Sequence, residues 1–141
     1  MNDDQVRARV YDVTMHSGRP PLVADLAAHF GADAAEVADS LQRLAAGRVL
    51  VVRDEVVMAA PFSAVATPFV VDSGSVSYFA NCIWDALGIP AMLHRDAEIR
   101  TSCGDCGTGM TVRVEDGVAH GDGLIHFALP ARQWWNDIVF T

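Results

Sequence analysis

The spacing of chain breakers in the first third of the sequence constrains the fold most. Ser17-Gly18-Arg19-Pro20-Pro21, Gly31 and Gly47 divide that stretch into short segments, each with apolar residues at helical spacing. Residues 4–17 read as a helix through Val6, Val10 and Val13, ended by the Gly-Pro turn. Val23 to Phe30 reads as a second helix, stopped by Gly31. Asp33-Ala34-Ala35-Glu36 has the form of a capping box and opens a third helix through Val37, Leu41 and Leu44 to Gly47. The apolar runs Val49–Val52 and Val56–Ala59 then flank Arg53-Asp54-Glu55 as a hairpin. Three helices and a β wing is the order of a winged helix, which raises DNA binding as a function.

Charge argues against it. Nine acidic residues face six arginines in the first sixty positions, and the third helix carries Glu36 and Asp39 against Arg43 and Arg48. Affinity for DNA comes largely from cationic contacts to phosphate, so nucleic acid is an unfavoured partner. The preferred reading of residues 1–62 is a winged-helix-like module that packs on the second part, residues 63–141, and covers its site.

The second part differs in kind. Thr67-Pro68-Phe69-Val70-Val71 reads as extended and buried. A helix follows around Cys82, capped by Ser77 and ended by Gly88 and Pro90. Ala97–Thr101 and Met110–Val114 alternate as strands around Cys103-Gly104-Asp105-Cys106-Gly107, Gly123–Leu129 supplies another, and Trp134–Phe140 enters a last one. The class is α+β: a winged-helix-like three-helix module, then a small mixed or antiparallel sheet with one functional helix. A chain of 141 residues, 51% hydrophobic and 20% charged, can bury a core of that size. The longest apolar stretch, Val56–Val71, is broken by Pro61, Ser63, Thr67 and Pro68, short of the roughly 20 apolar residues of a spanning helix. The acidic start, Met1-Asn2-Asp3-Asp4, is unlike a signal peptide, so a cytoplasmic location with reduced thiols is expected.

Chemistry concentrates at the cysteines. A lone cysteine is usually a small core hydrophobe. Cys82, however, shares a 25-residue stretch with Asp85, Cys103 and Cys106, and on a helix Cys82 and Asp85, three apart, lie on one face. A helix N-terminus can lower a thiol pKa. Asp85, among Ile83, Trp84, Ala86 and Leu87, is either a solvated helix residue or a partly buried carboxyl able to hold and release a proton. A thiolate gripping a soft electrophile beside a proton donor is the equipment for breaking a carbon–metal bond. The Cys103–Cys106 knuckle is half a zinc site; Cys82 could add a thiolate, and His94, His120 or His126 a fourth ligand. A dithiol redox centre is the other option, without the usual βαβ context.

With these residues in order, the chain resembles the alkylmercury (organomercurial) lyase family over nearly its whole length. The resemblance rests on the leading helices and wing, the Thr67-Pro68-Phe69 stretch, Tyr78 to Pro90 around Asn81-Cys82-Ile83-Trp84-Asp85, and Ser102-Cys103. It implies that cysteine thiolates bind the mercury of an organomercurial cation and an aspartic acid protonates the carbon, with Cys82 the first reactive cysteine and Asp85 the proton donor. It also implies no organic cofactor, and an external thiol to carry mercuric ion away. Cys103 matches a structural cysteine; Cys106 stands where better-known members have threonine. The family's second reactive cysteine lies near the C-terminus, yet none follows Cys106. Three expectations stay open: a truncated or recoded product, Cys103 or Cys106 as the second thiol, or a non-catalytic protein binding mercury, copper or zinc through Cys82, Cys103 and Cys106.

Overall fold

The structure, a computed structural model, describes residues 1–136. Helix α1 (Asp3–Ser17) opens on a capping box in which the Gln5 N–H donates to Asn2 Oδ1 and the Asn2 N–H to Gln5 Oε1, both at 2.9 Å. It ends at Gly18 in the left-handed conformation. Helices α2 (Val23–Phe30) and α3 (Ala34–Ala46) follow at the expected places, α3 capped by the Asp33–Glu36 box. Val6, Val10, Leu26, Val37, Leu41 and Leu50 close a first core between the three helices and the hairpin of β1 (Val51–Arg53) and β2 (Glu55–Ala59).

That hairpin continues into one eight-stranded sheet. Strands β3 (Phe62–Ser63), β4 (Val70–Ser73), β5 (Val76–Ala80), β6 (Ala97–Ser102), β7 (Gly109–Glu115) and β8 (Val118–His120) give the order β1-β2-β3-β5-β4-β6-β7-β8, antiparallel at every pairing. Helix α4 (Ile83–Leu93) lies on the sheet, and Ala86 and Ile89 pack with Phe62, Val71, Tyr78 and Ile99 in a second core.

Several sequence expectations are corrected. Ser77 does not cap α4; it belongs to β5, because the two-residue Gly74-Ser75 turn, with Gly74 at φ 65°, folds the chain back as a hairpin. The cap is Cys82 itself. Nor do Gly88 and Pro90 end the helix, which runs to Leu93 and closes at His94, φ 51°. Proline removes one internal N–H, but Ala86, Ile89 and Pro90 are buried, so packing on the sheet offsets the lost bond. Gly123–Leu129 forms no strand. The sheet instead gains β8, turned at Asp116-Gly117, both at positive φ as a two-residue hairpin of type I′ requires. Of the expected last strand, Trp134–Asn136 lie in a short 3-10 turn (Ala131–Asn136), and the rest falls outside the described residues.

Candidate functional site

Strand register decides which ends of the sheet meet. Val70 of β4 faces Phe79 on one side and Arg100 on the other, so β5 and β6 run in the same direction with β4 between them. The segments leaving β5, Ala80 to Cys82, and β6, Thr101 to Cys103, therefore emerge at one end of the sheet. Two inter-strand spacings, roughly 10 Å, separate their strand axes. Alternation gives Tyr78 and Ala80 on β5, and Ala97 and Ile99 on β6, to the face that carries α4.

The turn into α4 is held from below. Thr67 Oγ1 donates to the Ala80 carbonyl at 2.5 Å, and the Ala80 N–H donates to Phe69 O at 3.0 Å. Thr67-Pro68-Phe69 thus clamps the residue two before Cys82. Cys82 is extended at φ −146°, and its Sγ accepts the Asp85 N–H at 3.4 Å. The sulfur sits on the N-terminal amides of α4 as a helix cap, where partial positive charge favours an anion.

The two groups shift each other. Burial pushes the Asp85 carboxyl above the usual carboxylate range, and a hydrogen bond with the Cys82 side chain offsets part of the rise. Asp85 is half-buried, as one of the two sequence readings required. Burial also raises the Cys82 thiol; the Asp85 and Trp84 N–H groups act the other way, while the Asp85 charge adds to the rise. The lowered thiol expected from the helix terminus is therefore not what the structure gives. Desolvation and a neighbouring carboxylate outweigh two amide donors. Both shifts disfavour the doubly charged state, a thiolate beside a carboxylate.

The second thiol pair lies in the β6–β7 turn. The Cys103 N–H donates to Thr108 O at 2.8 Å and the Gly107 N–H to Cys103 O at 2.9 Å, which folds Cys103–Gly107 into a tight knuckle. Cys106 is exposed, with its sulfur 3.2 Å from Thr108 Oγ1. Hydrogen bonds from the Thr108 hydroxyl and backbone, then from Cys103, bring its pKa down to about 7. All three cysteines are free. Among the described residues, no three His, Cys, Asp or Glu side chains converge as a metal cluster. His94, at the far end of α4, and His120, on β8, are exposed.

The sequence reading missed one residue here. The Thr101 hydroxyl, on β6 two residues before Cys103, is buried without a hydrogen-bond partner among the described residues. A threonine in a strand carries no signal that would have marked it. A shallow hollow lined by His94, Arg95, Asp96, Asp116 and Gly117 lies at the other end of β6 and has no part in this chemistry.

The α+β fold sets a cysteine and a carboxyl whose pKa is raised by burial on the first turn of one helix. The chain belongs to the alkylmercury lyase (MerB) family, whose sequence pattern matches residues 62–141. A solved structure described as the mercury-bound form of MerB2 has the same fold, with a TM-score of 0.64 at 20% identity. The match covers 82% of this chain and 58% of that one, so the chain spans less than two thirds of that relative's length. No curated protein matches it.

Proposed function

We propose that the protein cleaves carbon–mercury bonds by protonolysis, with residues 63–141 carrying the chemistry and residues 1–62 packed over it. The observation that carries this reading is the Cys82 sulfur held on the α4 amides beside a carboxyl whose pKa burial raises. Cys82 releases its thiol proton to solvent as its sulfur binds the mercury of an organomercurial cation. A second thiolate then raises the electron density on mercury. Asp85 gives its proton to the carbon, which leaves as hydrocarbon with the electron pair of the broken bond; mercuric ion stays on two sulfurs, and no atom changes oxidation state. Family membership and the mercury-bound relative support mercury as the element handled. Cys103 and Cys106 are the proposed second thiols: their turn leaves the sheet at the same end as Cys82, and Cys106 is readily ionised near neutral pH. Small external thiols would remove the product.

The test is benzene release from phenylmercury by the purified chain with excess thiol, measured by headspace gas chromatography. Release above the thiol-only control, abolished in Cys82→Ser and in Asp85→Asn, is the expected result. A second reading rests on the three free cysteines, Cys82, Cys103 and Cys106: the sulfurs bind mercury, copper or zinc without cleavage. Metal retained at undiminished affinity in Asp85→Asn, with no benzene from the wild type, would establish that reading instead.

A further inference from the structure

The turn between β6 and β7 brings two thiols together on a short, closed loop. Register holds its base at Ser102↔Gly109, and the Cys103 N–H donates to Thr108 O at 2.8 Å. The Gly107 N–H then donates to Cys103 O at 2.9 Å, the bond of a single helical turn. Cα atoms three apart in a tight turn lie within about 7 Å, close to the roughly 4.4–6.8 Å that a disulfide spans. The Cys103 and Cys106 side chains already hydrogen-bond to each other. The loop also has room to adjust: a Cβ at Gly104 would meet no atom within 4 Å, and Gly107 takes a left-handed φ of 71°.

The two sulfurs are not equivalent. Cys106 is exposed, with Thr108 Oγ1 3.2 Å from its sulfur, whereas Cys103 is half-buried where β6 ends. A solute therefore meets Cys106 first, and Cys103 stands behind it as the second thiol. Thiol–disulfide exchange needs this arrangement, because a mixed disulfide formed at the accessible sulfur is resolved within the molecule by its neighbour. Closing so short a loop costs little chain entropy. Cys82 is placed differently, on the α4 amides with a carboxyl for its neighbour.

We propose that Cys103 and Cys106 are a reversible dithiol–disulfide couple that exchanges with small-molecule disulfides. The Cys106 thiolate attacks one sulfur of the small disulfide, whose other sulfur leaves as a thiolate; the Cys103 thiolate then displaces the second. One S–S bond replaces another: the protein is oxidised by two electrons, its two thiol protons pass to the leaving thiolates, and the small disulfide is reduced to two thiols. Excess small thiol reverses the sequence. Closing the couple takes up both sulfurs proposed above as the second ligand of mercury and leaves Cys82 free, so it halts carbon–mercury cleavage until a thiol reopens it. That consequence rests on the lyase reading; the couple itself does not.

The test uses the full reduced chain, equilibrated without oxygen or metal in glutathione buffers of rising disulfide content. Samples are quenched with N-ethylmaleimide and read by intact-protein mass spectrometry and peptide mapping. The reduced chain should carry a label on each of its three free cysteines. As disulfide content rises, the labels at Cys103 and Cys106 should be lost together, with no glutathione retained, while Cys82 keeps its own. Cys103→Ser should stop instead at a glutathione adduct on Cys106. A wild type that keeps all three labels in excess glutathione disulfide, or that holds glutathione on Cys106 with Cys103 still labelled, overturns the proposal. So does a disulfide to Cys82 or between copies of the chain. Single-turnover benzene release from stoichiometric phenylmercury, without added thiol, separates the couple from the lyase reading. Release lost on closing and restored by reduction supports both. A closed couple with undiminished release keeps the couple and refutes the second-ligand role of these sulfurs; no release from the reduced chain keeps the couple and refutes the lyase reading.

Discussion

Asp85 is placed where a carboxylate is poorly solvated, and that placement gives one side chain two opposing effects. Its folded pKa is raised, so between the unfolded and folded values the native state binds more protons than the unfolded chain. Its contribution to stability is fully present below the unfolded pKa and is lost as pH rises through the folded one. Asp85→Asn, neutral at every pH, should therefore unfold at higher denaturant than the wild type near pH 7. The advantage should shrink toward pH 4, as urea titrations followed by circular dichroism would show. The same variant should lose hydrocarbon release by a factor of about 10²–10⁴, the usual worth of a positioned general acid. Thr101 makes the complementary case. Its buried hydroxyl finds no partner among the described residues, so Thr101→Val should be neutral or stabilise the fold by about 1 kcal/mol in thermal melts. A drop in turnover in that more stable variant would mean that the hydroxyl serves the bound substrate. The i, i+3 spacing made Cys82 and Asp85 visible in the sequence. The net direction of the thiol shift was not visible, because it depends on how much water reaches the turn.

At the scale of elements, α4 is a cap, a face and a floor. Cys82 occupies the cap position, where a hydroxyl also serves. Cys82→Ser should therefore keep the helix, gain up to about 1 kcal/mol from a better cap, and still lose hydrocarbon release. Equal far-UV spectra with no benzene released from phenylmercury would separate fold from function. The sequence showed the helices of the front module nearly to the residue, since each is bounded by its own glycine or capping box. It showed β6 and β7 for a similar reason: six consecutive register pairs from Ala97↔Val114 to Ser102↔Gly109 follow the alternating pattern. It failed where local signals competed. Gly74-Ser75 and Asp116-Gly117 are short hairpin turns that define β5 and β8, whereas the apolar run Gly123–Leu129 resembles a strand but pairs with no strand among the described residues, with Leu124 98% exposed. The aromatic residues of that run are used through Phe127 against Trp84, a contact between distant parts of the chain that no periodicity encodes.

At the scale of the whole molecule, the two cores are joined through α1. Val6 and Val10 close the first, Tyr11 packs against both, and Met15, one turn further on, packs against the second. The Tyr11 hydroxyl donates to Ala60 O at 2.9 Å, and the Tyr78 hydroxyl, from β5, donates to Met15 O at 2.6 Å. The sheet also runs unbroken from β2 through β3 into β5. Composition and turn signals divide the sequence near residue 62, but side-chain contacts tie the two sides of that point together, and only long-range pairing could reveal it. Gly18 is the tightest point of the joint. It sits at φ 82°, and a Cβ there would lie 2.4 Å from the backbone oxygen of Ser77. Alanine must therefore bear a left-handed backbone and push α1 off β5 as well, for a combined cost of about 2–4 kcal/mol. Because β5 leads directly to Cys82, the displacement should reach both cores. Hydrogen exchange on Gly18→Ala should show lower protection at Val10 and Leu41 and, to the same extent, at Tyr78 and Ile99, within one cooperative unfolding transition. Loss confined to the α1–α3 module would show that the front module unfolds independently, and that the thiol–acid turn does not depend on α1 for its place.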